Sequence, residues 1–201
     1  MPARTASRKA SVSGALKRLG PVEESTLLSR LLQAHPELRA EAEGMALEMI
    51  TTVDPEAVAE EVAWAFQGFD QDEVWDRSGP DRFGGYTEPG EAADAICEEK
   101  FEPFMDELQR LLEMGQMESA LAQVQGMLLG LSRLKDDLPE DAADFPTESG
   151  AFRVLEVWAK AAPAGSDPSL LDWIKRELPA DWASHLESLW RGLRHRTGKP
   201  R

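Results

Sequence analysis

The sequence predicts an all-α fold of antiparallel helical hairpins, packed either as a helical bundle or as a short α–α superhelical repeat array. Two observations lead to this prediction. Apolar residues recur at steps of three and four through most of the chain, which places them on one face of a helix. No segment alternates polar and apolar residues in the way that a half-buried strand does.

The clearest element is a helical hairpin over residues 101–134. Its two apolar stripes are separated by a short break at 114–116, whose central glycine suits the reversal at the end of a helix. Within the second stripe, Ala122, Gly126 and Gly130 lie four residues apart, which places them on one face. These small residues predict a groove into which another helix packs closely.

Start and stop signals place the other helices. Asp54–Pro55 and Asp167–Pro168 each combine a capping oxygen with a proline that favours the first turn. Ser25 is a candidate cap for the first helix, and Pro103 is expected to kink or split a long helix. The predicted helices are 26–34, 36–53, 55–69 and 90–114, the second arm of the hairpin, and three short helices after residue 150.

Composition divides the chain into five parts. The strongest boundary signal is an acidic, proline-containing stretch after the hairpin. Four of the six tryptophans follow it, which indicates either a tight small core or a face for a partner. The parts are a basic disordered tail (1–22), a helical-hairpin domain with a long loop at 70–89 (23–138), a linker (139–150), a small Trp-rich helical unit (151–193) and a basic tail (194–201).

Charge is distributed unevenly along the chain. The net charge is −15, but ten of the 22 basic residues lie in 1–22 and 191–201, where there is no acid. The body between them carries all 37 acids and a formal charge of −25. Such a body repels nucleic acid and attracts a basic surface. We therefore predict a protein partner with a basic surface and no direct nucleic-acid binding by the folded body.

The loop at 70–89 supplies the candidate partner-binding residues. Its aromatic residues, which include Phe83, give the loop something to bury, and its charges alternate beside them. In the alternative interpretation, the two arginines of the loop neutralise neighbouring acids and tie the loop down. The candidates for contact with a partner are Trp75, Asp76, Arg77, Asp81, Arg82 and Tyr86.

Chemical motifs are sparse. The single cysteine, Cys97, excludes an internal disulfide and a zinc site of several thiolates, and its apolar neighbours predict a small buried side chain. Asp181 and His185 are four residues apart, but no partner motif accompanies them. Phosphate-binding loops and nucleophile elbows are also missing. We predict no catalytic residue, no metal and no cofactor.

We predict a cytoplasmic protein without membrane contact. The apolar runs are far shorter than the roughly 20 residues that a bilayer requires, and one unpaired cysteine fits a reducing compartment. Arginine outnumbers lysine 15 to 7, which suggests a GC-rich bacterial genome. Organellar import is the alternative, because the first 22 residues are basic and free of acid.

One family resemblance rests on Phe83-Gly84-Gly85-Tyr86, Ala92-Ala93, the helix with Leu108, Leu111 and Leu112, Gly115, and the helix with Ala120 and Leu121. This pattern resembles the helical region of bacterial SWIM zinc-finger proteins and related helical-repeat proteins of unknown function, over residues 25–135. There a Gly–aromatic turn precedes a helical hairpin. The Cys-x-Cys and Cys-x-His motif of SWIM proteins is absent, so its zinc and nucleic-acid roles do not carry over. The resemblance implies a helical-repeat scaffold that binds another macromolecule.

The predicted function is therefore a non-catalytic protein–protein interaction or scaffold module of the helical-repeat type. One alternative is an acidic regulatory decoy that occupies the nucleic-acid-binding surface of a partner protein. Another is an enzyme that uses the 70–89 loop, with Asp76, Asp81 and Tyr86 as the reacting groups.

Overall fold

The computed structural model of the chain describes residues 16–80, 85–134, 137–162 and 167–196. Across these ranges the structure contains nine α-helices, short 3-10 and π turns and one two-stranded pairing, so the all-α prediction is confirmed. The chain divides into two compact units between Ile50 and Thr51. This division differs from the sequence prediction, which placed the linker at 139–150.

The first unit contains α1 (Pro21–Ala34), a 3-10 turn (Pro36–Leu38) and α2 (Arg39–Thr51), whose last residue opens the second unit. Helix α1 begins before the predicted cap at Ser25. Pro21 takes the first helical position, and the Glu23 carboxylate accepts a hydrogen bond of 2.9 Å from the backbone N–H of Gly20. None of residues 16–49 is buried. Most of the predicted tail at 1–22 lies outside the described residues.

The second unit begins with the capped helix that the sequence predicted. Asp54 accepts a hydrogen bond of 3.1 Å from the backbone N–H of Glu56, and Pro55 starts the helix. The elements are α3 (Pro55–Ala65), α4 (Gln71–Arg77), β1 (Gly79–Pro80), β2 (Tyr86–Thr87), α5 (Pro89–Glu113), α6 (Met117–Arg133), a 3-10 turn (Glu140–Ala142), a π turn (Phe145–Gly150), α7 (Ala151–Ala161), α8 (Asp167–Glu177) and α9 (Ala180–Arg196). Strands β1 and β2 pair antiparallel.

The predicted hairpin is confirmed as α5 and α6. Gly115 has a φ of +72°, and the N–H groups of Gly115 and Gln116 donate to the carbonyls of Leu112 (3.0 Å) and Leu111 (2.9 Å). These two bonds satisfy the last carbonyls of α5 and reverse the chain. Pro103 does not split α5, which runs through it as one helix.

The small-residue groove on α6 holds helix α3. A Cβ added at Gly126 would lie 2.5 Å from the Cβ of Val58, and one added at Gly130 would lie 2.6 Å from the Cβ of Val62. The absence of side chains at these two glycines therefore lets the two helices approach closely. Helix α6 also packs against α5, α7 and α8, so it is the central helix of a bundle.

The predicted linker at 139–150 is part of the core. Phe145 is buried, and its ring lies 6.0 Å from that of Phe66 and 5.9 Å from that of Phe101. Acidic composition suggested a solvated linker, but the aromatic residue inside the stretch provides the contact that holds it down. The four tryptophans of the C-terminal helices are buried in the same core: Trp158, Trp173, Trp182 and Trp190.

The predicted loop at 70–89 contains a helix, which corrects our prediction of an irregular segment. The side chain of Asp70 accepts a hydrogen bond of 3.1 Å from the backbone N–H of Glu73 and caps α4. Val74, on the inner face of α4, is fully buried. One capped turn with one buried apolar residue is enough to order a helix that is too short to show a clear apolar period.

Candidate interaction surfaces

The structure places the candidates of the loop on two elements. Trp75, Asp76 and Arg77 are exposed on α4, and Tyr86 is exposed on β2. Asp81 and Arg82 lie outside the described residues.

Arg77 fastens α4 to α5. Its guanidinium donates a hydrogen bond of 2.7 Å to Glu99 and lies 3.8 Å from Glu73. Lys100 joins this group, since its ammonium lies 3.6 Å from Glu73 and 5.5 Å from the ring centre of Phe69. The hydrogen bond to Glu99 raises the pKa of Arg77. At Arg77 these contacts favour the alternative interpretation, in which the arginine neutralises neighbouring acids and holds the segment against α5.

The two described aromatic residues of the segment, Trp75 and Tyr86, do not anchor it, contrary to our expectation. Trp75 is 60% exposed and Tyr86 is 61% exposed, whereas Phe69 and Val74 supply the buried contacts. Phe83 lies outside the described residues. An exposed tryptophan and an exposed tyrosine on neighbouring elements remain available for contact with another molecule.

The enzyme alternative finds little support in the described part of the segment. The side chains of Asp76 and Tyr86 are both exposed, and no hydrogen bond between described residues joins them. A catalytic pair needs a shared, partly desolvated pocket that shifts its pKa values. The chemistry of this segment is that of an exposed surface.

A groove that sequence reasoning missed lies at the end of α3. It has a volume of about 460 Å³, and Ala63, Phe66 and Leu134 give it apolar walls. Trp64 and Asp137 also line it, and Trp64 is 75% exposed. The sequence did hold a signal for this groove. Trp64 follows Val62 by two residues, about 200° around the helix from the buried stripe, so its ring points away from the core.

Three carboxylates lie in or near this groove. Glu60 and Glu61 precede Trp64 by four and three residues, so they share its exposed face of α3. Neither forms an ion pair with a described residue, and the same holds for the carboxylate of Asp137. An exposed indole, apolar walls and the Asp137 carboxylate thus line the groove, and Glu60 and Glu61 lie one turn before the indole on α3.

Helix α1 presents a second apolar surface. Leu27, Leu28 and Leu31 lie within about 100° of one another around the helix and are between 42% and 51% exposed. Leu32, the remaining leucine of the helix, is half-buried. We call the first three residues the leucine face of α1. Glu23 and Glu24 stand one turn before it.

Two reactive side chains outside these surfaces are Cys97, which is buried, and His185, which is half-buried. Cys97 is fully buried, as predicted, and burial raises the pKa of its thiol to about 12. The Nε2–H of His185 donates a hydrogen bond of 3.1 Å to the carbonyl oxygen of Thr147. Among the described residues there is no group of three or more side chains that would hold a metal ion.

Comparisons with known proteins give no relative. No family model matches the chain, and neither the curated proteins nor the solved structures contain a match. The resemblance to the helical region of SWIM proteins therefore stays a prediction. Within the described ranges, no helix combines the length and the apolar character needed to cross a bilayer.

Proposed function

We propose that this chain is a non-catalytic protein-interaction module that binds another protein with a basic surface through the leucine face of α1. One observation carries the proposal. Helix α1 exposes Leu27, Leu28 and Leu31, while every leucine of the hairpin in the second unit is buried or half-buried. A grouped set of exposed leucines on one helix is typical of a binding element.

Helix energetics support the same proposal. A helix of 14 residues is marginally stable in water without tertiary packing, and α1 has no buried residue to supply that packing. Burial of its leucines in the groove of a partner would stabilise the helix and the complex together. The acids at the start of α1 favour a partner groove with basic residues along its edge.

Affinity capture from an extract of the native host tests the proposal. The tagged full chain is compared with Leu27→Glu/Leu31→Glu, which places two charges on the leucine face. The matched control is Ser29→Glu/Gln33→Glu, which adds the same charges on the exposed opposite side of α1. All three proteins should keep the same helical content, because none of the four positions is buried.

We expect the wild-type chain and the control to capture the same basic protein, and the leucine variant to lose it. Added salt should weaken the capture, because part of the attraction acts between opposite charges. Equal capture by the leucine variant and the control would contradict the proposal. So would self-association of the pure chain that the leucine variant abolishes, because the leucine face would then bind a second copy.

An acidic decoy is the second candidate, and the outer face of α5 favours it. Six exposed acids follow one another along this helix at spacings of three to seven residues. They are Glu91, Asp94, Glu98, Glu102, Asp106 and Glu113. Glu98 and Glu102 pair with Arg153 of α7, and the other four form no ion pair with a described residue. A captured partner that loses bound DNA when the chain is added would support the decoy. Simultaneous binding of DNA and chain would exclude it.

A further inference from the structure

We propose that the groove beside Trp64 binds a basic peptide segment of the partner, in which an arginine or lysine stands next to an apolar residue. This inference rests on the proposed function, since it assigns a second contact and a chemistry to the same class of partner. It concerns a different surface from the leucine face of α1, so the two can be tested separately.

The indole of Trp64 is the first argument. Three-quarters of this side chain is exposed, although four other tryptophans of the unit are buried. A large exposed aromatic ring beside a concave surface is typical of a binding site. Its electron-rich face attracts the guanidinium of an arginine or the ammonium of a lysine.

The walls of the groove are the second argument. Phe66 and Leu134 are almost fully buried but still line the groove, so they form an apolar floor below the indole. The aliphatic stem of an arginine or lysine, or a neighbouring apolar side chain, can cover such a floor. The volume of about 460 Å³ lies within the usual range of small binding clefts.

Charge selects a basic segment over a neutral apolar one. Asp137 lines the groove, and Glu60 and Glu61 lie on the exposed face of α3 next to the indole. The described base next to Leu134 is Arg133, which pairs with Glu56. The three carboxylates therefore have no counter-charge among the described residues. A cationic segment would supply that counter-charge.

Fluorescence anisotropy with synthetic peptides tests the inference on the full chain. The probe is a fluorescein-labelled peptide of repeated Arg-Leu and Lys-Gly pairs, and the reference peptide carries glutamine in place of each arginine and lysine. The test variants are Trp64→Ala and Asp137→Asn. Met49→Ala is the control for the first, since Met49 is a largely exposed apolar residue on α2, and Asp172→Asn is the control for the second, since Asp172 is an exposed acid on α8.

We expect Trp64→Ala to weaken binding of the basic peptide about tenfold, and Asp137→Asn to weaken it about threefold at low salt. Met49→Ala and Asp172→Asn should leave the affinity unchanged, and Trp64→Phe should keep part of it. The glutamine peptide should bind at least about tenfold more weakly. Trp64 is largely exposed, so all variants should keep the thermal stability of the wild-type chain.

Four results would overturn the inference: no binding of the basic peptide, equal binding of both peptides, equal losses in test and control variants, or self-association that Trp64→Ala abolishes. Equal losses of peptide affinity in test and control variants would mean that the peptide is attracted by the overall negative charge of the chain. Self-association that needs Trp64 would mean that the groove binds a second copy of the chain. If any of these is found while Leu27→Glu/Leu31→Glu still abolishes capture, the groove assignment fails and the proposed function stands. If the capture experiment fails while the peptide measurements give the expected differences, the leucine face is wrongly assigned and the groove assignment stands.

Discussion

Gly115 reverses the chain between α5 and α6 with a backbone that other residues rarely adopt. Its φ is +72°, and no atom lies within 4 Å of the place that a Cβ would occupy. The requirement for glycine is therefore conformational and does not come from crowding. Gly192 has equally open surroundings but no positive φ, because it lies inside α9. Its position therefore does not require glycine.

Alanine at these two glycines should have opposite effects. We expect Gly115→Ala to lower the free energy of unfolding by about 1 kcal/mol, because alanine strains the left-handed turn. Gly192→Ala should raise it by about 0.5–1 kcal/mol, since alanine favours a helix interior. Urea titrations followed by circular dichroism measure both values. A loss of stability at both positions would contradict the conformational explanation.

The thiol of Cys97 makes stability depend on pH in the alkaline range. Burial raises its pKa from 9.0 to about 12, the nearby Asp94 carboxylate adds to the shift, and Lys100 opposes it. Between these values the native thiol keeps its proton while the unfolded chain loses it. The free energy of unfolding of the wild-type chain should therefore fall as pH rises above about 9, by about 1.4 kcal/mol per unit.

Cys97→Ala isolates this contribution, because it removes the thiol and leaves the other residues in place. The variant is less stable at neutral pH, but we expect its stability to fall less between about pH 8 and about pH 10 than that of the wild-type chain. Parallel pH profiles in urea unfolding would show that the thiol titrates alike in the folded and unfolded chains.

At the scale of elements, the closest helix contact is that between α3 and α6. The position of a Cβ at Gly126 lies 2.6 Å from the carbonyl oxygen of Pro55, as well as 2.5 Å from the Cβ of Val58. Because the carbonyl oxygen belongs to the backbone, it cannot move aside as a side chain can. The two helices must therefore separate before a methyl group fits at Gly126. The contact also positions the Trp64 groove, because α3 carries the tryptophan and Leu134 follows the end of α6.

Gly126→Ala should therefore destabilise the second unit by about 1–3 kcal/mol, although alanine favours a helix. Differential scanning calorimetry compares it with Gly192→Ala, whose gain in helix propensity is the same and whose surroundings are open. A rise in melting temperature for both variants would show that α3 and α6 are not in close contact.

The sequence predicted the elements whose determinants are local. The hairpin, its glycine turn, the Asp54 cap and the groove at Gly126 and Gly130 each follow from residues a few positions apart. Helix α4 was missed, although Asp70 and Glu73 stand at the spacing of a capping box. The packing of Phe145 and the groove at Trp64 depend on contacts between distant segments, which composition and period do not reveal.

At the scale of the whole molecule, the two units differ in the burial of their apolar side chains. The second unit buries a continuous core from Val58 to Leu193, whereas residues 16–49 bury none of their side chains. Acids outnumber bases by 37 to 22, and the ion pairs at Arg77, Arg133 and Arg153 neutralise only part of that excess. The proposed basic partner depends on the remaining negative charge, the leucine face and the Trp64 groove.

Amide hydrogen exchange of the free full chain, resolved by peptide mass spectrometry, tests most directly whether the leucine face of α1 lacks a partner within the chain. We expect amides of α1 to exchange within about tenfold of the unfolded rate, because an unpacked helix of this length opens readily. Amides of α6, at the centre of the bundle, should exchange only on global unfolding and therefore orders of magnitude more slowly. Protection of α1 equal to that of α6 would show that its leucines are already buried and would contradict the account.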